Sequence, residues 1–388
     1  MRRPATGYTR LPFIKSNTGN AVKKRKIIVT IGTRPEAVKM APLVKQLQRE
    51  EWVDCRVLAT AQHRGMLDQV LRLFEIKADI DLDIMQPNQS LPMLTSRLMV
   101  RLDGVLAAEQ PDVLLAQGDT TTVLTAALAS FYRRVPVGHV EAGLRTGDLS
   151  NPFPEEMNRV VASRLARWHF APTETAKRNL LTEGIDAANV FVTGNTVIDA
   201  LLDVAARCDG ATPFKGDSRL ILVTSHRREN FGEAFQNILR AIKTIADNNP
   251  DVHVLYPVHP NPNVRETAYA QLGNHPRITL CEPLDYLPFV AAMKRAYLIL
   301  TDSGGVQEEA PALGKPVLVL RRETERPEAV AHEVVRLVGT EYADIVSNTQ
   351  RLLDDPAEYG RMARGVSPYG DGQASERIVS VLRDHFRV

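Results

Sequence analysis

Thr301-Asp302-Ser303-Gly304-Gly305-Val306-Gln307-Glu308-Glu309 is the stretch on which the reading of this chain turns. The apolar run Tyr297-Leu298-Ile299-Leu300 before it reads as a buried strand, and Ala310 to Leu313 after it as a helical turn closed by Gly314. A strand that breaks at Gly-Gly and passes into a helix presents unpaired backbone N–H groups and the positive end of a dipole to whatever lies above it. Such a turn can cradle a phosphate or diphosphate. Glu308 and Glu309 would repel phosphate, so at least one of them is expected to hold neutral hydroxyls, such as those of a ribose. A strand-to-helix turn without a ligand has the same local pattern, so the decision rests on the rest of the chain.

Outward from that stretch, short β-branched runs alternate with segments of helical period. Strands read at Lys26 to Ile31, Cys55 to Thr60, Val113 to Ala116, Val135 to His139 and Val190 to Val192, which ends the first half. Glu36 to Arg49 places Val38, Ala41, Leu43, Val44 and Leu47 on one helical face. After a helix around Val197 to Ala206, the Gly- and Pro-bearing stretch Asp209 to Asp217 reads as a linker or loop. The second half repeats the pattern at Leu220 to Thr224, Val252 to Tyr256, Ile278 to Cys281, Tyr297 to Leu300 and Val317 to Leu320. This alternation predicts an α/β fold with parallel sheets covered by helices. Its ligands are expected outside the carboxyl ends of the strands, in the cleft between the two halves.

Composition narrows the function classes. The 388 residues suffice for two domains, and 48 basic against 46 acidic residues make no case for a nucleic-acid or membrane partner. Seven Lys or Arg and no acid fall in residues 1–25, which lack an apolar core and read as a disordered basic leader. Cys55, Cys208 and Cys281 are far apart and read as reduced core residues of a cytoplasmic protein. No Cys-x-x-Cys, His-Glu-x-x-His or Gly-x-x-x-x-Gly-Lys occurs, so structural zinc and a P-loop lose their usual support.

The strand ends carry the chemistry. Arg34 and Lys39 near a helix start can clamp an anion or pair with surface carboxylates. Asp119, before Thr120-Thr121-Thr122, is most simply the N-cap of the next helix. Glu141 ends a buried strand among small residues, where burial raises a carboxyl's pKa towards general acid–base work. Glu155 and Glu156 follow a Pro-rich loop or open a helix, and Arg159 can pair with Glu155 four residues back. His226, with Arg227 and Arg228, closes a strand beside the Gly-Gly turn and suits a diphosphate, and His259 repeats that arrangement more weakly. Together these point to a nucleotide-diphosphate compound whose other end undergoes proton chemistry.

At these residues the chain resembles the non-hydrolysing UDP-N-acetylglucosamine 2-epimerase family. The resemblance is carried by Gly32-Thr33-Arg34-Pro35-Glu36, Ala61-Gln62-His63-Arg64, Gly118-Asp119-Thr120-Thr121-Thr122, His139 to Thr146, Pro154-Glu155-Glu156, His226-Arg227-Arg228-Glu229, Asp302-Ser303-Gly304-Gly305 and Glu325-Arg326-Pro327-Glu328, in the family's order. It implies a glycosyltransferase-B-like fold of two Rossmann-like domains facing across a cleft. Residues 26–194 would form the first and 195–369 the UDP-binding second, with 370–388 returning to pack on the first. It also implies reversible interconversion of UDP-GlcNAc and UDP-ManNAc, without metal or nicotinamide cofactor, through elimination of UDP to 2-acetamidoglucal, by a cytoplasmic homodimer that supplies ManNAc units for cell-surface polysaccharide.

Carried over by resemblance, Asp119, Glu141 and Glu155 are acid–base candidates with Arg159 nearby, and His226 attends the diphosphate. Arg34 and Lys39 are ligand-binding, Ser303, Gly304 and Gly305 hold the diphosphate, Glu309 the ribose, Phe289 the uracil region and Arg326 the nucleotide. Activation by a second UDP-GlcNAc would use Gln62, His63, Arg64, Arg227 and His259. Gly65 departs from the longer polar residue of some members, as Leu284 does from a polar residue near the uracil site, and Gly65 weakens the case for strong activation. A UDP-sugar glycosyltransferase, a hydrolysing epimerase and a regulatory protein that binds UDP-sugars without turnover are the rival readings.

Overall fold

The computed structural model describes residues 24–60, 64–86 and 89–388. The basic leader up to Lys23 and the site candidates Gln62 and His63 lie outside the described residues, as does the side chain of Arg64.

Two parallel sheets organise the chain. The first holds β1 (Arg25–Ile31), β2 (Val53–Ala59), β3 (Ile80–Asp81), β4 (Val113–Gln117), β5 (Val137–Val140), β6 (Trp168–Ala171) and β7 (Val190–Val192), in the order β3-β2-β1-β4-β5-β6-β7. The second holds β8 (Arg219–Thr224), β9 (Val252–Pro257), β10 (Ile278–Cys281), β11 (Leu298–Thr301), β12 (Val317–Val319) and β13 (Val335–Leu337), in the order β10-β9-β8-β11-β12-β13. The strand order reverses between β1 and β4 and between β8 and β11. Those two switch points open the crevices where such sheets take ligands.

Three strands escape the sequence reading for physical reasons. β3 is two residues at a sheet edge, β13 is three with Arg336 at its centre, and β6 places His169 in the middle of a four-residue run. Arg25, read with the leader, instead begins β1 opposite Val53 and bonds Asp112 at 3.1 Å.

The helix Arg34–Gln48 starts with a capping box between Thr33 and Glu36 and buries Ala37, Val38, Met40, Ala41, Leu43, Val44 and Leu47. It packs on the helices Thr196–Ala205 and Ala374–Phe386. Ile378, Val379 and Leu382 of the latter are buried in this contact, each contributing roughly 1.5–3 kcal/mol. One apolar cluster runs from Ile27 and Val29 through Ile198 and Leu201 to Leu222 and Ile299, so the two sheets share a core.

Between the sheets the chain crosses twice, and the crossings touch. A Cβ on Gly194 would stand 3.2 Å from Gly370 Cα, and Asn195 N–H donates to Tyr369 O at 2.6 Å. Both glycines have positive φ, +86° and +140°, which favours glycine at this close approach. Among the described residues no helix is long and apolar enough to cross a membrane.

Candidate functional site

Glu36, buried beneath the β1 turn, accepts hydrogen bonds from Gly32 N–H, from Thr33 N–H at 2.8 Å and from Thr120 Oγ1 at 2.6 Å. It ties the loop after β1 to the loop after β4. Thr120, not Asp119, caps the following helix, accepting from Val123 N–H. The hydroxyl one residue on takes the capping role expected of Asp119. Freed from capping, Asp119 turns its carboxylate to Arg159 Nη1 at 3.0 Å. Burial, reinforced by the charge of Glu141, pushes its pKa up to about 6. His139, kept neutral by burial with a pKa down to about 4, donates Nε2–H to Gly118 O at 2.7 Å and fixes the loop from below.

Glu141 overturns the expectation of a raised pKa. Its backbone adopts φ +62°, a left-handed conformation uncommon outside glycine. One carboxylate oxygen accepts from Lys39 Nζ at 2.6 Å and Asn195 Nδ2 at 2.8 Å, the other from Lys39 Nζ at 2.8 Å and Gln117 Nε2. Burial alone would raise this group. The Lys39 charge and hydrogen bond, the Arg326 charge and the Asn195 amide outweigh it and hold Glu141 below the usual carboxylate range. Lys39 is correspondingly raised: its burial is overcome by Glu141 and Glu308.

Glu155 opens the helix Glu155–Leu165. Arg159 does not pair with it. Its guanidinium bonds Glu156, Nε at 2.7 Å, and Asp119. Glu156 also accepts from Thr146 N–H and Gly147 N–H and is a fixed anchor for that loop. Glu155 is thereby left to line the cavity.

At the second switch point Asp302, 0% exposed, gathers the loop after β8 with one oxygen. That oxygen accepts from His226 N–H at 2.8 Å, Arg227 N–H at 2.9 Å, Ser225 Oγ at 3.1 Å and Asn230 Nδ2 at 3.2 Å. Its other oxygen faces His226 Nδ1 at 3.3 Å, and the His226 ring stacks on His259 with centroids 5.4 Å apart. The helix Gly304–Glu309 follows, with Ser303 before it making no side-chain capping bond. Packing does not demand glycine there. A Cβ on Gly304 would approach nothing nearer than Arg227 Nη2 at 3.8 Å, and one on Gly305 nothing nearer than 4.0 Å. The bare backbone faces open space.

Glu308 and Glu309 part company. Glu308 binds Arg326 Nε and accepts from Asn195 Nδ2 at 3.0 Å. Glu309 accepts from Tyr286 Oη at 2.7 Å, and burial raises its pKa to about 7.

These groups line two cavities. One, of about 370 Å³, lies between the halves and brings Asp119, Glu141, Glu155 and Arg159 of the first to Glu308 and Arg326 of the second. The other, of about 280 Å³, is lined by His226, His259, Phe289, Ser303, Gly305 and Glu309. Arg34 lines neither; it borders a separate cavity of about 240 Å³ beside Arg72 and Tyr286. Arg227 reaches Glu325 at 3.6 Å. Sequence reasoning missed Asn195 and Tyr286. Asn195 was within reach of the strand-end rule, since Thr193-Gly194-Asn195 directly follows β7.

The family model of UDP-N-acetylglucosamine 2-epimerase matches residues 45–383. UDP-N-acetylglucosamine 2-epimerase of Escherichia coli (strain K12) is 52% identical over 371 residues, 93% of this chain and 99% of that one. The Bacillus subtilis (strain 168) protein of the same name is 50% identical over 368 residues, covering 94% and 97%. Among solved structures, UDP-GlcNAc 2-epimerase from Neisseria meningitidis bound to UDP-GlcNAc superposes with a TM-score of 0.84 at 50% identity, covering 92% of this chain and all of that one. A kitacinnamycin glycotransferase at 13% identity and TM-score 0.59, covering 93% and 99%, shares the fold alone.

Proposed function

The chain belongs to the UDP-N-acetylglucosamine 2-epimerase family, and from that premise we propose how its two cavities divide the reaction. UDP-GlcNAc and UDP-ManNAc interconvert by elimination and re-addition of UDP. Asp119 takes the C2 proton, the C–H electrons form the C1–C2 double bond, and the C1–O bond breaks to release UDP and leave 2-acetamidoglucal. UDP then re-adds at C1 while Glu155 delivers its proton to the opposite face of C2. Glu141, held ionised by Lys39, stabilises positive charge at C1 as the bond to UDP breaks.

The observation that carries this reading is the separation of two neighbouring carboxylates, Asp119 up to about 6 and Glu141 below its usual value. Such a division sorts proton-transfer groups from electrostatic ones. A group near 6 is mostly ionised at neutral pH yet more basic than an ordinary carboxylate. In the second cavity the Ser303-Gly304-Gly305 backbone and His226 hold the diphosphate, Glu309 the ribose and Phe289 the uracil, while Arg326 meets the nucleotide from the wall of the first cavity.

We divide the chain into domains at 26–194 and 195–369, with 370–388 returning to the first; the two sheets and the packing of the helix Ala374–Phe386 support that division. Three unpaired thiols support a cytoplasmic site, where the product feeds cell-surface polysaccharide synthesis. The exposed Phe131 (58%) and Tyr132 (67%), on a helix packed against Leu91–Glu109, support a homodimer. A second UDP-GlcNAc acts as activator through Arg227 and His259; hyperbolic initial rates against UDP-GlcNAc would remove that part of the reading.

Incubation with UDP-GlcNAc in D2O tests the reaction itself. Deuterium at C2 and a UDP-ManNAc fraction are expected. Stoichiometric free ManNAc and UDP would replace the reading by hydrolysis, and binding without exchange by a regulator.

A further inference from the structure

Asn195 follows β7, where the chain passes from one sheet to the other, and is 2% exposed. Its side-chain oxygen accepts from Val197 N–H at 3.1 Å and caps the next helix. Its amide nitrogen uses both hydrogens on carboxylates from opposite halves: Glu141 at 2.8 Å and Glu308 at 3.0 Å. The flipped amide is excluded physically, because it would turn an oxygen to two carboxylates and a nitrogen to a backbone donor. The backbone on either side is pinned by the Tyr369 carbonyl and the Gly194–Gly370 contact.

A helix cap alone explains the oxygen and nothing else. Ser, Thr or Asp caps as well as Asn. Ser and Thr supply no pair of amide donors, and Asp would set a third carboxylate against two. A cap oxygen combined with two outward donors is met by Asn alone among the good caps.

We propose that Asn195 is a positioning residue of the proton-transfer centre, holding Glu141 of the first half and Glu308 of the second in one fixed relation across the cleft. This inference deepens the epimerase reading and rests on it. The amide favours ionised Glu141, and through Glu308 it fixes Arg326, which binds that carboxylate. Neither the diphosphate cradle nor the ribose carboxylate touches Asn195, so nucleotide affinity depends on it only indirectly, through Glu308 and Arg326.

The test compares Asn195→Ser, which keeps the cap and removes both donors, with Asn195→Asp, which keeps the cap and adds charge. A hydrogen bond to a charged group corresponds to roughly one to two pH units of its titration. For Asn195→Ser we expect kcat for C2 exchange to fall about 10- to 100-fold, and a second acidic limb, from Glu141 raised by roughly one unit, to emerge below the Asp119 limb near 6. UDP affinity by calorimetry should fall by much less than kcat. For Asn195→Asp the deficit should shrink as pH falls and the third carboxylate takes a proton, a dependence of opposite sense. Wild-type-like kcat and pH profiles in both variants would reduce Asn195 to a cap and overturn the proposal, as would UDP affinity falling in step with kcat. Lack of C2 exchange by the wild-type enzyme would instead remove the epimerase reading beneath it. Should Asn195→Ser melt before assay, the pH dependence of Asn195→Asp decides alone.

Discussion

Replacing Lys39 by methionine keeps most of the side-chain volume and removes the cation that meets both oxygens of Glu141 at 2.6 and 2.8 Å. The two side chains are 19% and 5% exposed, so water recovers little of the loss. Glu141 lies below its ordinary value of 4.5 in the folded chain, so its share of stability is present above that value and fades as pH falls through the folded one. Lys39 is raised above 10.5, so its share is present below 10.5 and fades as pH rises through the folded value. At pH 7 both shares are present. Lys39→Met therefore costs roughly 3–5 kcal/mol there, the range for stranding one member of a buried pair. Adding Glu141→Gln to Lys39→Met removes the stranded charge and should recover at least half of that cost without restoring C2 exchange. Urea denaturation of the wild type and the two variants at pH 7 and pH 5 measures this, with a smaller Lys39→Met deficit at pH 5, where burial without the cation lets Glu141 take a proton. A deficit under about 1 kcal/mol at pH 7, or a double variant no more stable than the single, would refute the buried-pair argument.

The other predictions concern protons and the nucleotide. Asp119→Asn should lower C2 exchange by about 10²–10⁴-fold with UDP affinity unchanged, and the wild-type rate should rise with pH through about 6 as Asp119 ionises; a profile flat from pH 5 to 7 counts against Asp119 as the base. Glu309, raised to about 7, accepts ribose hydroxyls best when ionised, so UDP affinity should increase from pH 6 to 8, and Tyr286→Phe, losing the 2.7 Å donor, should move that transition to higher pH. The same shift makes the ionised form a cost to the fold: relative to the unfolded chain, stability from Glu309 is full below 4.5 and is lost as pH rises through about 7. Gly305→Ala meets no protein atom nearer than 4.0 Å, so melting should be unchanged while UDP affinity by calorimetry drops at least about ten-fold, about 1.4 kcal/mol; unchanged affinity would show that no ligand approaches that backbone.

The two-sheet architecture was legible because buried strands and amphipathic helices write their periods locally, as in Val113 to Ala116 and Glu36 to Arg49. The strand-end rule likewise found Asp119, Glu141, His226 and the Gly-Gly turn without reference to partners. What it could not find was the state of each group. Glu141 is decided by Lys39, Gln117, Asn195 and Arg326, which lie 102, 24, 54 and 185 positions away along the chain. Burial, the one factor a strand end announces, pushes in the direction opposite to the net effect. Asp119 was misread for a local reason: two good caps stand side by side, and sequence offers no means of choosing Thr120. Arg159 shows the reverse case, where the i,i+4 rule proposes Glu155 and the neighbouring Glu156 wins by lying on the buried side.

Charge also decides which end of the substrate belongs in which cavity. Arg145, Arg159, Arg227 and Arg326 line the large cavity, and each already meets a carboxylate: Glu183, Asp119 with Glu156, Glu325 and Glu308 respectively. Asp119, Glu141, Glu155, Glu308, Glu325 and Glu328 line it too, so its wall carries more carboxylates than cations. A diphosphate placed there would have to break an ion pair or face uncompensated negative charge. The smaller cavity has bare backbone N–H groups at Gly305, two histidines and a single carboxylate, Glu309, that is half-neutral near pH 7. This charge division supports the proposed placement of the nucleotide diphosphate in the smaller cavity and the sugar in the larger. In that orientation the positive charge that grows at C1 as UDP departs forms against a negative wall, while the negative charge that grows on UDP forms against a helix N-terminus. In the proposed reaction both halves of the broken bond are then stabilised where they stand, and the glycal and UDP remain in place to recombine.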